Sequence, residues 1–541
     1  MVVKNQFHTV TAERLDGQMN AVAHIDGQTV FVPRLLPDES AEIRIVKAEK
    51  RYAFGRIERL LSESPDRRNP PCPYYARCGG CSGLHMCYEA TLRAKRQAVQ
   101  DVLLRVGGIE AEVPLPLGMA EPFHYRNKTA LPVAMVDGCP RAGYYRARSH
   151  DITPIDSCLT AMQPADRIVR TVLDWMKAFA VTAYDERSHT GLIRHIIMRT
   201  ARSGQTMVTL ATAEDILPHP TELCTALTAI PGVISVCQTV NQRGDNVILG
   251  ESYRVLTGAD RLEDELCGLR YLLSPLSFFQ VNPLQTERLY ETAIRFAELR
   301  PEDRVADVYC GAGTISLLAA KSAAHVTGIE IVPQAIHDAR ENARLNGIGN
   351  AEFLCGAAED VLPRLVGDGL RPDVILLDPP RKGAEPAVLD AIATAAPRRI
   401  VYVSCDPATL ARDLRLLTAA GYKADQVQSV DMFCWSGHVE TVCLLSKIRS
   451  APHIDVDLDM TELDVTAAET KATYEEIKAY VLKHTGLKVS CLYIAQVKAK
   501  HGIIERNCYN KAKTEGNRVP KCPPEKERAI EEALRHFQMI P

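Results

Sequence analysis

A cysteine and a glutamate, 35 positions apart, are the residues whose chemistry stands out in this chain. Cys405 lies in the run SCDP at 404–407, and Glu440 lies in the run HVET at 438–441. A thiolate that adds to C6 of a pyrimidine makes C5 nucleophilic, and a carboxylate can then remove the C5 proton. Methyl transfer to nitrogen or oxygen needs no such thiol, because those atoms carry a lone pair. With a methyl donor nearby, the pair indicates methylation of a pyrimidine at C5.

The segment DVYCGAGT at 307–314 is typical of a strand-to-helix turn that cradles a ligand. Its glycines allow a tight turn and let the backbone approach that ligand. Glu330 follows 23 residues after Asp307, where an acid suits the two hydroxyls of a ribose. A phosphate site is disfavoured, because the loop has no Gly-Lys-Ser/Thr pattern. Together with DPPR at 378–381, the segment predicts a pocket for S-adenosylmethionine. The alternative is an ordinary glycine turn.

Three cysteines stand close together in a loop rich in proline and glycine. They are Cys72, Cys78 and Cys81, and Cys158 is a plausible distant fourth. Four thiolates in irregular backbone suit either an iron–sulfur cluster or a zinc ion, and the spacing does not separate the two. Cys87 lies nearby in a predicted helix, and we expect it not to be a ligand.

The composition bounds the class of protein. The chain has 541 residues, too many for one core, so we expect several domains. Its composition, 46% hydrophobic and 24% charged, is ordinary, and its net charge of −3 gives no global nucleic-acid signature. The 17 cysteines, an odd number, favour metal or catalytic roles over a disulfide framework. No apolar run is long enough to span a membrane, and the first ten residues lack a secretory pattern. We therefore expect a cytoplasmic monomer without membrane contact.

The order of elements predicts a multi-domain α/β protein. Short alternating strands at 1–62 predict a small β-barrel, and mixed strands and helices at 63–270 predict an α+β central domain. Four apolar runs within 271–447, each ending at a polar residue, predict buried parallel strands of a doubly wound, Rossmann-like domain. Ligands bind such sheets at the carboxyl ends of their strands.

Residues 85–106 predict one helix that ends at Gly107-Gly108. Its apolar face would consist of Leu92, Val99, Leu103 and Val106. Its opposite face would carry the basic residues Arg93, Lys95 and Arg96.

The C-terminal part divides into an acidic linker and a basic appendage. Residues 448–472 are predicted to form the linker and residues 473–541 the appendage. Residues 471–541 carry 14 Lys or Arg against eight Asp or Glu, a net charge of +6. Helical patterns at 473–484 and 490–500, separated by Gly486, are compatible with a helix-turn-helix. Two interpretations of this segment remain open: it contacts RNA, or it is an appendage that only packs.

The chain resembles the RNA uracil-5-methyltransferase family, in its subgroup with an N-terminal TRAM domain and an iron–sulfur cluster. The resemblance covers residues 1–447. Its most specific segments are 72–81, 279–282, 307–314, 377–381, 404–407, 431–433 and 438–441. It implies a TRAM-like (OB-like) barrel, a central RNA-binding domain with a [4Fe–4S] loop, a methyltransferase domain that uses S-adenosylmethionine, and a small helical C-terminal domain.

The resemblance also implies a role for each site residue. Cys405 would attack C6 of uracil, and Glu440 would remove the C5 proton. Phe278 or Phe279 would pack against the flipped base. The methyl-donor contacts would be Gln280, Tyr309, Glu330 and Asp378. The ligands of the [4Fe–4S] cluster would be Cys72, Cys78, Cys81 and Cys158.

The substrate implied by the resemblance is a uridine of 23S rRNA, because family members with both the TRAM domain and the cluster typically modify that RNA. The chain departs from the family pattern in two places. Segment 16–21 lacks the usual second glycine of the TRAM loop, and CWSG at 434–437 replaces a segment that usually begins with proline. Arg381 stands where adenine-N6 methyltransferases have an aromatic residue, and it is suited to a phosphate.

Two other functions compete with uracil methylation. RNA cytosine-C5 enzymes generally use a second cysteine in a Pro-Cys motif, and DPPR at 378–381 contains none. A non-catalytic RNA-binding protein with a relic pocket is disfavoured, because Cys405, Glu440 and the whole pocket are retained.

Overall fold

A computed structural model describes residues 2–146, 149–448, 473–501, 522–537 and 539–540. The chain divides into two compact units, 1–449 and 450–541. The predicted linker at 448–472 lies outside the described residues except for Ile448. Within the described ranges, no helix is both long and apolar enough to cross a lipid bilayer.

The N-terminal segment folds into one six-stranded sheet. Its strands are β1 (Phe7–Thr11), β2 (Arg14–Leu15), β3 (Asn20–Ile25), β4 (Gln28–Pro33), β5 (Ser40–Ala48) and β6 (Tyr52–Leu60), in the order β1-β5-β6-β4-β3-β2. Asp26 and Gly27 both have positive φ, as a two-residue hairpin between β3 and β4 requires. Contact between β1 and β3 curls the sheet around an apolar core that includes Val30 and Ile43.

Helix α1 (Tyr88–Val102) continues into a π-helical turn, Leu103–Gly107, and ends at Gly108, which has φ 66°. The predicted helix is present, but two features of its faces were wrong. Val106 is 43% exposed, because the wider turn changes the direction of the residues that follow it. Lys95 is buried rather than on a basic surface, because its ammonium group pairs with the buried carboxylate of Asp431.

The central domain is built on a seven-stranded mixed sheet with the order β13-β12-β11-β10-β7-β8-β9. The strands are β7 (Lys128–Val136), β8 (Cys139–Tyr145), β9 (Ile152–Pro154), β10 (Ile193–Thr200), β11 (Thr206–Thr212), β12 (Val233–Val240) and β13 (Tyr253–Gly258). Helices α2 (Ala165–Ala178) and α3 (Pro220–Thr228) pack on it, and the hairpin of β14 (Leu262–Leu266) and β15 (Leu269–Leu273) follows.

A second seven-stranded sheet forms the Rossmann-like domain, in the order β18-β17-β16-β19-β20-β22-β21. The strands are β16 (Arg304–Val308), β17 (His325–Glu330), β18 (Ala351–Cys355), β19 (Val374–Leu377), β20 (Arg399–Ser404), β21 (Tyr422–Val430) and β22 (Glu440–Lys447). The helices are α4 (Pro283–Ala297), α5 (Thr314–Ala320), α6 (Pro333–Leu345), α7 (Ala358–Gly367), α8 (Pro386–Ala395) and α9 (Pro407–Ala419). Only β22 runs against its neighbours, and it lies between β20 and β21. The four predicted strands are β16, β17, β19 and β20.

The C-terminal unit contains three described helices, α10 (Tyr474–Thr485), α11 (Cys491–Lys500) and α12 (Pro524–His536). Thr473 and Glu476 form a capping box at the start of α10, and Gly486 ends that helix with φ 70°. Ile477, Ile494 and Ile530, one from each helix, are fully buried in a shared core. The unit therefore has an apolar core of its own.

We predict that Lys95→Met destabilises the N-terminal unit by about 3–5 kcal/mol, because the substitution leaves the Asp431 carboxylate buried without its cation. Urea denaturation followed by tryptophan fluorescence measures the loss. Arg96→Met is the matched control, since Arg96 is exposed on the same helix. Equal midpoints for the two variants would contradict a structural role for the ion pair.

Candidate active site

A cavity of about 740 Å³ opens at the carboxyl ends of β16, β17, β19 and β20. All six residues that the sequence predicts for methyl transfer line it: Cys405, Glu440, Gln280, Tyr309, Glu330 and Asp378. Parallel strands end at one edge of a sheet, so residues far apart in sequence meet there.

Cys405 follows the last residue of β20 and directly precedes Asp406, the N-cap residue of α9. The Asp406 side chain caps that helix by accepting hydrogen bonds from the backbone N–H groups of Ala408 (2.8 Å) and Thr409 (3.3 Å). The backbone N–H of Asp406 donates to Ser404 Oγ at 3.1 Å. These bonds fix the turn on both sides of the thiol. The Cys405 side chain itself is half-buried.

Glu440 begins β22, whose antiparallel pairing with β20 ends at Ser404 and Thr441. This register brings Cys405 and Glu440 together just beyond the last pair. The Glu440 side chain is almost fully buried. Burial raises its pKa to about 7, and the positive charge of Arg381 opposes that rise. A carboxyl group with this pKa can take up and release a proton near neutral pH.

Several buried acids lie in or beside the cavity, and their negative charges are disfavoured there. Burial raises the pKa of Asp307 to about 6, although Ser316 donates a hydrogen bond to its carboxylate. Burial and the charges of Glu440 and Asp307 hold the pKa of Asp378 well above its usual range. Burial also raises the pKa of the Cys405 thiol to about 11, with further contributions from Glu440 and Asp378. A cationic ligand would relieve this repulsion.

The part of the cavity beside β16 and β17 suits a nucleoside. The carboxylate of Glu330 accepts hydrogen bonds from the backbone N–H groups of Gly311 (3.1 Å) and Val332 (2.9 Å). Tyr309 has φ 70°, and its buried hydroxyl has no hydrogen-bond partner among the described residues. Asp307 Oδ1 is likewise unpaired there. Acids and an orphaned hydroxyl fit the hydroxyls and the positive charge of S-adenosylmethionine. The backbone carbonyl of Gln280 is held by Asn127 Nδ2 at 3.1 Å.

The opposite wall of the cavity contains aromatic and basic side chains. Phe278 and Phe279 both line the cavity. Phe278 is 72% exposed, whereas Phe279 is 4% exposed and packs against Tyr271 in the core. Of the two candidates for the flipped base, Phe278 therefore offers the larger free surface. Phe433 and His438 also line this wall, with their rings 5.8 Å apart.

No role follows from sequence alone for Phe433 or His438. A signal was present for His438 alone: it precedes Glu440 by two positions, and in extended backbone such residues point to the same side. Burial, together with the positive charges of Arg381, Lys95 and Arg126, lowers the pKa of His438.

The four predicted ligand cysteines line a second, small cavity: Cys72, Cys78, Cys81 and Cys158. Burial raises the pKa of Cys81 to about 12, and the neighbouring Cys158 and Cys78 add to that rise. Cys87 lies apart from them and donates a hydrogen bond to Asp66 at 3.3 Å. In the described part of the chain, no three His, Cys, Asp or Glu residues converge as ligands of one metal ion.

The fold and the cavity define the class of Rossmann-like, S-adenosylmethionine-dependent methyltransferases. Residues 88–448 match the tRNA (uracil-5-)-methyltransferase family, and residues 4–57 match the TRAM domain. The chain belongs to this family of RNA methyltransferases. The predicted uracil-5-methyltransferase family, the TRAM domain and the Rossmann-like domain are confirmed. Neither match extends into the C-terminal unit.

The relatives support the same family. An uncharacterized RNA methyltransferase of Clostridium tetani (strain Massachusetts / E88) is 44% identical over 447 residues, which are 82% of this chain and 97% of that protein. One from Halalkalibacterium halodurans is 45% identical over 447 residues, 82% of this chain and 98% of that protein. The tRNA (uracil-54, C5)-methyltransferase of Pyrococcus abyssi, solved with S-adenosyl-L-homocysteine, has a TM-score of 0.65 and 26% identity, and the match covers 81% of this chain and 100% of that one.

We predict that Cys405 reacts with iodoacetamide slowly at neutral pH and faster up to about pH 11, because only the thiolate reacts and the pKa of this thiol is raised to about 11. Glu440→Gln removes a neighbouring negative charge and shifts the profile to lower pH. Mass spectrometry of the peptide that contains residue 405 separates it from the other cysteines. Identical profiles for wild type and variant would contradict the electrostatic coupling.

Proposed function

We propose that this protein transfers a methyl group from S-adenosylmethionine to C5 of a uridine in 23S rRNA, through a covalent bond between Cys405 and C6. The observation that carries the proposal is the meeting of Cys405 and Glu440 in one acid-lined cavity. S-adenosylmethionine, when bound, supplies an electrophilic methyl group and one positive charge. Gln280, Tyr309, Glu330 and Asp378 are the residues proposed to hold it.

The thiolate of Cys405 forms a bond to C6 of uracil and moves electron density to C5. C5 then forms a bond to the methyl carbon as the bond from that carbon to sulfur breaks, which leaves S-adenosylhomocysteine. Glu440 takes the C5 proton, the C5–C6 double bond returns, and the C6–sulfur bond breaks. Cys405 is regenerated, and Glu440 returns its proton to water. A pKa of about 7 for Glu440 suits this exchange.

The choice of 23S rRNA rests on the combination of the TRAM domain at 4–57 with the four clustered cysteines. A tRNA is the second candidate, because the family description names tRNA and the Pyrococcus abyssi relative is a tRNA (uracil-54, C5)-methyltransferase. Methylation of cell-free 23S rRNA and tRNA transcripts with labelled S-adenosylmethionine, followed by mass spectrometry of the nucleotides, tests the choice. We expect 5-methyluridine in 23S rRNA. Label on tRNA alone would overturn this target, and label on cytidine would overturn the chemistry.

We predict opposite outcomes for the two catalytic residues. Cys405→Ala forms no covalent complex with RNA and no product, because nothing adds to C6. Glu440→Gln slows turnover by about 10²–10⁴-fold and accumulates a protein–RNA complex that survives SDS, because the C5 proton is not removed. Gel electrophoresis with labelled RNA measures both. Cys355→Ala, at an exposed thiol, is the control and keeps wild-type behaviour. A complex formed by Cys405→Ala would refute the mechanism.

We also propose that Cys72, Cys78, Cys81 and Cys158 hold a [4Fe–4S] cluster. Four soft thiols around one small cavity suit it, and a cluster binds each sulfur to a different iron. In such a cluster the four sulfurs would stand further apart than around a single ion.

We predict that anaerobically purified protein contains about four iron atoms per chain, the number in the proposed cluster. Cys81→Ser would lose most of that iron, whereas Cys87→Ser would keep it. Iron and zinc analysis of the purified proteins measures the difference. One zinc ion in place of iron would overturn the cluster and retain the site.

A further inference from the structure

Trp435 lies in the loop at 431–439 that connects β21 to β22. This base-wall loop supplies Phe433 and His438 to the cavity, and Glu440 follows it. Its two ends are fixed by the sheet, since Val430 pairs with Glu440. The residues between them have no strand partner, so other contacts must hold this wall in place.

Trp435 occupies a backbone position that favours glycine. The N–H of Ser436 donates to the carbonyl of Phe433 at 3.2 Å and closes a four-residue turn, in which Trp435 is the third residue with φ 66°. Positive φ at this place is usual for glycine and rare for a bulky side chain. A strained residue persists only where its surroundings over-determine it. The contacts of the indole must therefore outweigh the backbone strain.

The indole is almost fully buried between residues that are more than 300 positions away in the sequence. Its Nε1–H donates to the carbonyl of Pro122 at 2.8 Å. Its ring stacks on Phe123 with centroids 5.3 Å apart, and the ring of Tyr88 lies 5.1 Å away. The guanidinium of Arg68 lies 4.2 Å from the ring centroid. Tyr88 is the first residue of α1, and Arg68 precedes that helix. Pro122 and Phe123 lie between the π-helical turn and β7 of the central sheet.

The backbone of Trp435 is bound to the cysteine loop. Its carbonyl accepts two hydrogen bonds, from the N–H groups of Ser82 and Gly83, both at 2.9 Å. Those two residues directly follow Cys81. The base-wall loop is thus joined to the loop that carries three of the four clustered cysteines.

We propose that Trp435 is the positioning residue that holds Phe433 and His438 against the target base and ties this wall to the cysteine loop. The inference rests on the proposed function and deepens it. The donor part of the cavity has separate support, because Tyr309, Glu330 and Asp378 follow or end strands of the parallel sheet. Loss of the indole therefore impairs the base site and spares the donor site.

The experiment compares two binding events in the full-length protein. The affinity for S-adenosylhomocysteine, measured by calorimetry, reports the donor site. Covalent capture of 5-fluorouridine-substituted 23S rRNA and tRNA transcripts, with S-adenosylmethionine present, reports the base site. In 5-fluorouridine, fluorine replaces the C5 hydrogen that Glu440 would remove, so the adduct with Cys405 persists. Capture therefore does not require the proton-removal step.

Trp435→Gly keeps the turn that glycine favours and deletes the indole. We expect unchanged affinity for S-adenosylhomocysteine and a capture rate lower by about 100-fold, the order expected for a displacement of about 1 Å. Trp435→Phe keeps a ring but loses the hydrogen bond to the Pro122 carbonyl. Its capture rate should lie between those of Trp435→Gly and wild type. Trp175→Phe is the matched control, because the buried indole of Trp175 also donates to a carbonyl, that of His219 at 3.1 Å, in the central domain.

Wild-type capture by Trp435→Gly would overturn the proposal. A parallel loss of affinity for S-adenosylhomocysteine would also overturn it, because the residue would then act on the fold as a whole. Failure of the wild-type protein to form any adduct, with normal binding of S-adenosylhomocysteine, would contradict the proposed function itself and this inference with it.

Discussion

The buried ion pair between Lys95 and Asp431 anchors the base-wall loop, which completes the active site. It joins α1 to the first residue of the base-wall loop across 336 positions of sequence. Tyr88 adds a hydrogen bond to the same carboxylate at 2.6 Å, and Lys95 also donates to the carbonyl of Phe433 at 3.0 Å. Desolvating both charges is costly, so such a pair adds little stability compared with an apolar contact. Its effect is to specify one position for the loop.

The sequence was most informative where a structural rule is local. Buried parallel strands are continuous apolar runs, so β16, β17, β19 and β20 and the polar residues at their ends were predictable. The hairpin at Asp26-Gly27 follows from turn chemistry. Lys95 was placed on the wrong face, because the carboxylate that buries it is encoded far away.

The same limit applies to the cavity. Cys405, Glu440 and the donor residues were recognised from motifs, and the structure brings all of them to one cavity. No motif specifies the electrostatic field that these side chains create together. Glu440 and Asp307 raise the pKa of Asp378, and Glu440 and Asp378 raise that of Cys405, because these groups are buried close together, and burial is a property of the fold. The exposure of Phe278 and the burial of Phe279 were likewise decided by packing rather than by residue type.

The position of β22 has a consequence for the synthesis of the chain. This strand is the last of the sheet in sequence, yet it lies between β20 and β21. A ribosome-bound chain that stops short of residue 440 contains the thiol but not the carboxylate, and its sheet has a gap in which β20 and β21 lack their common partner. Because domains form from the N-terminus as they emerge, the thiol and the carboxylate can meet only after nearly all of the first unit has left the ribosome. An unfinished chain therefore lacks the complete catalytic pair.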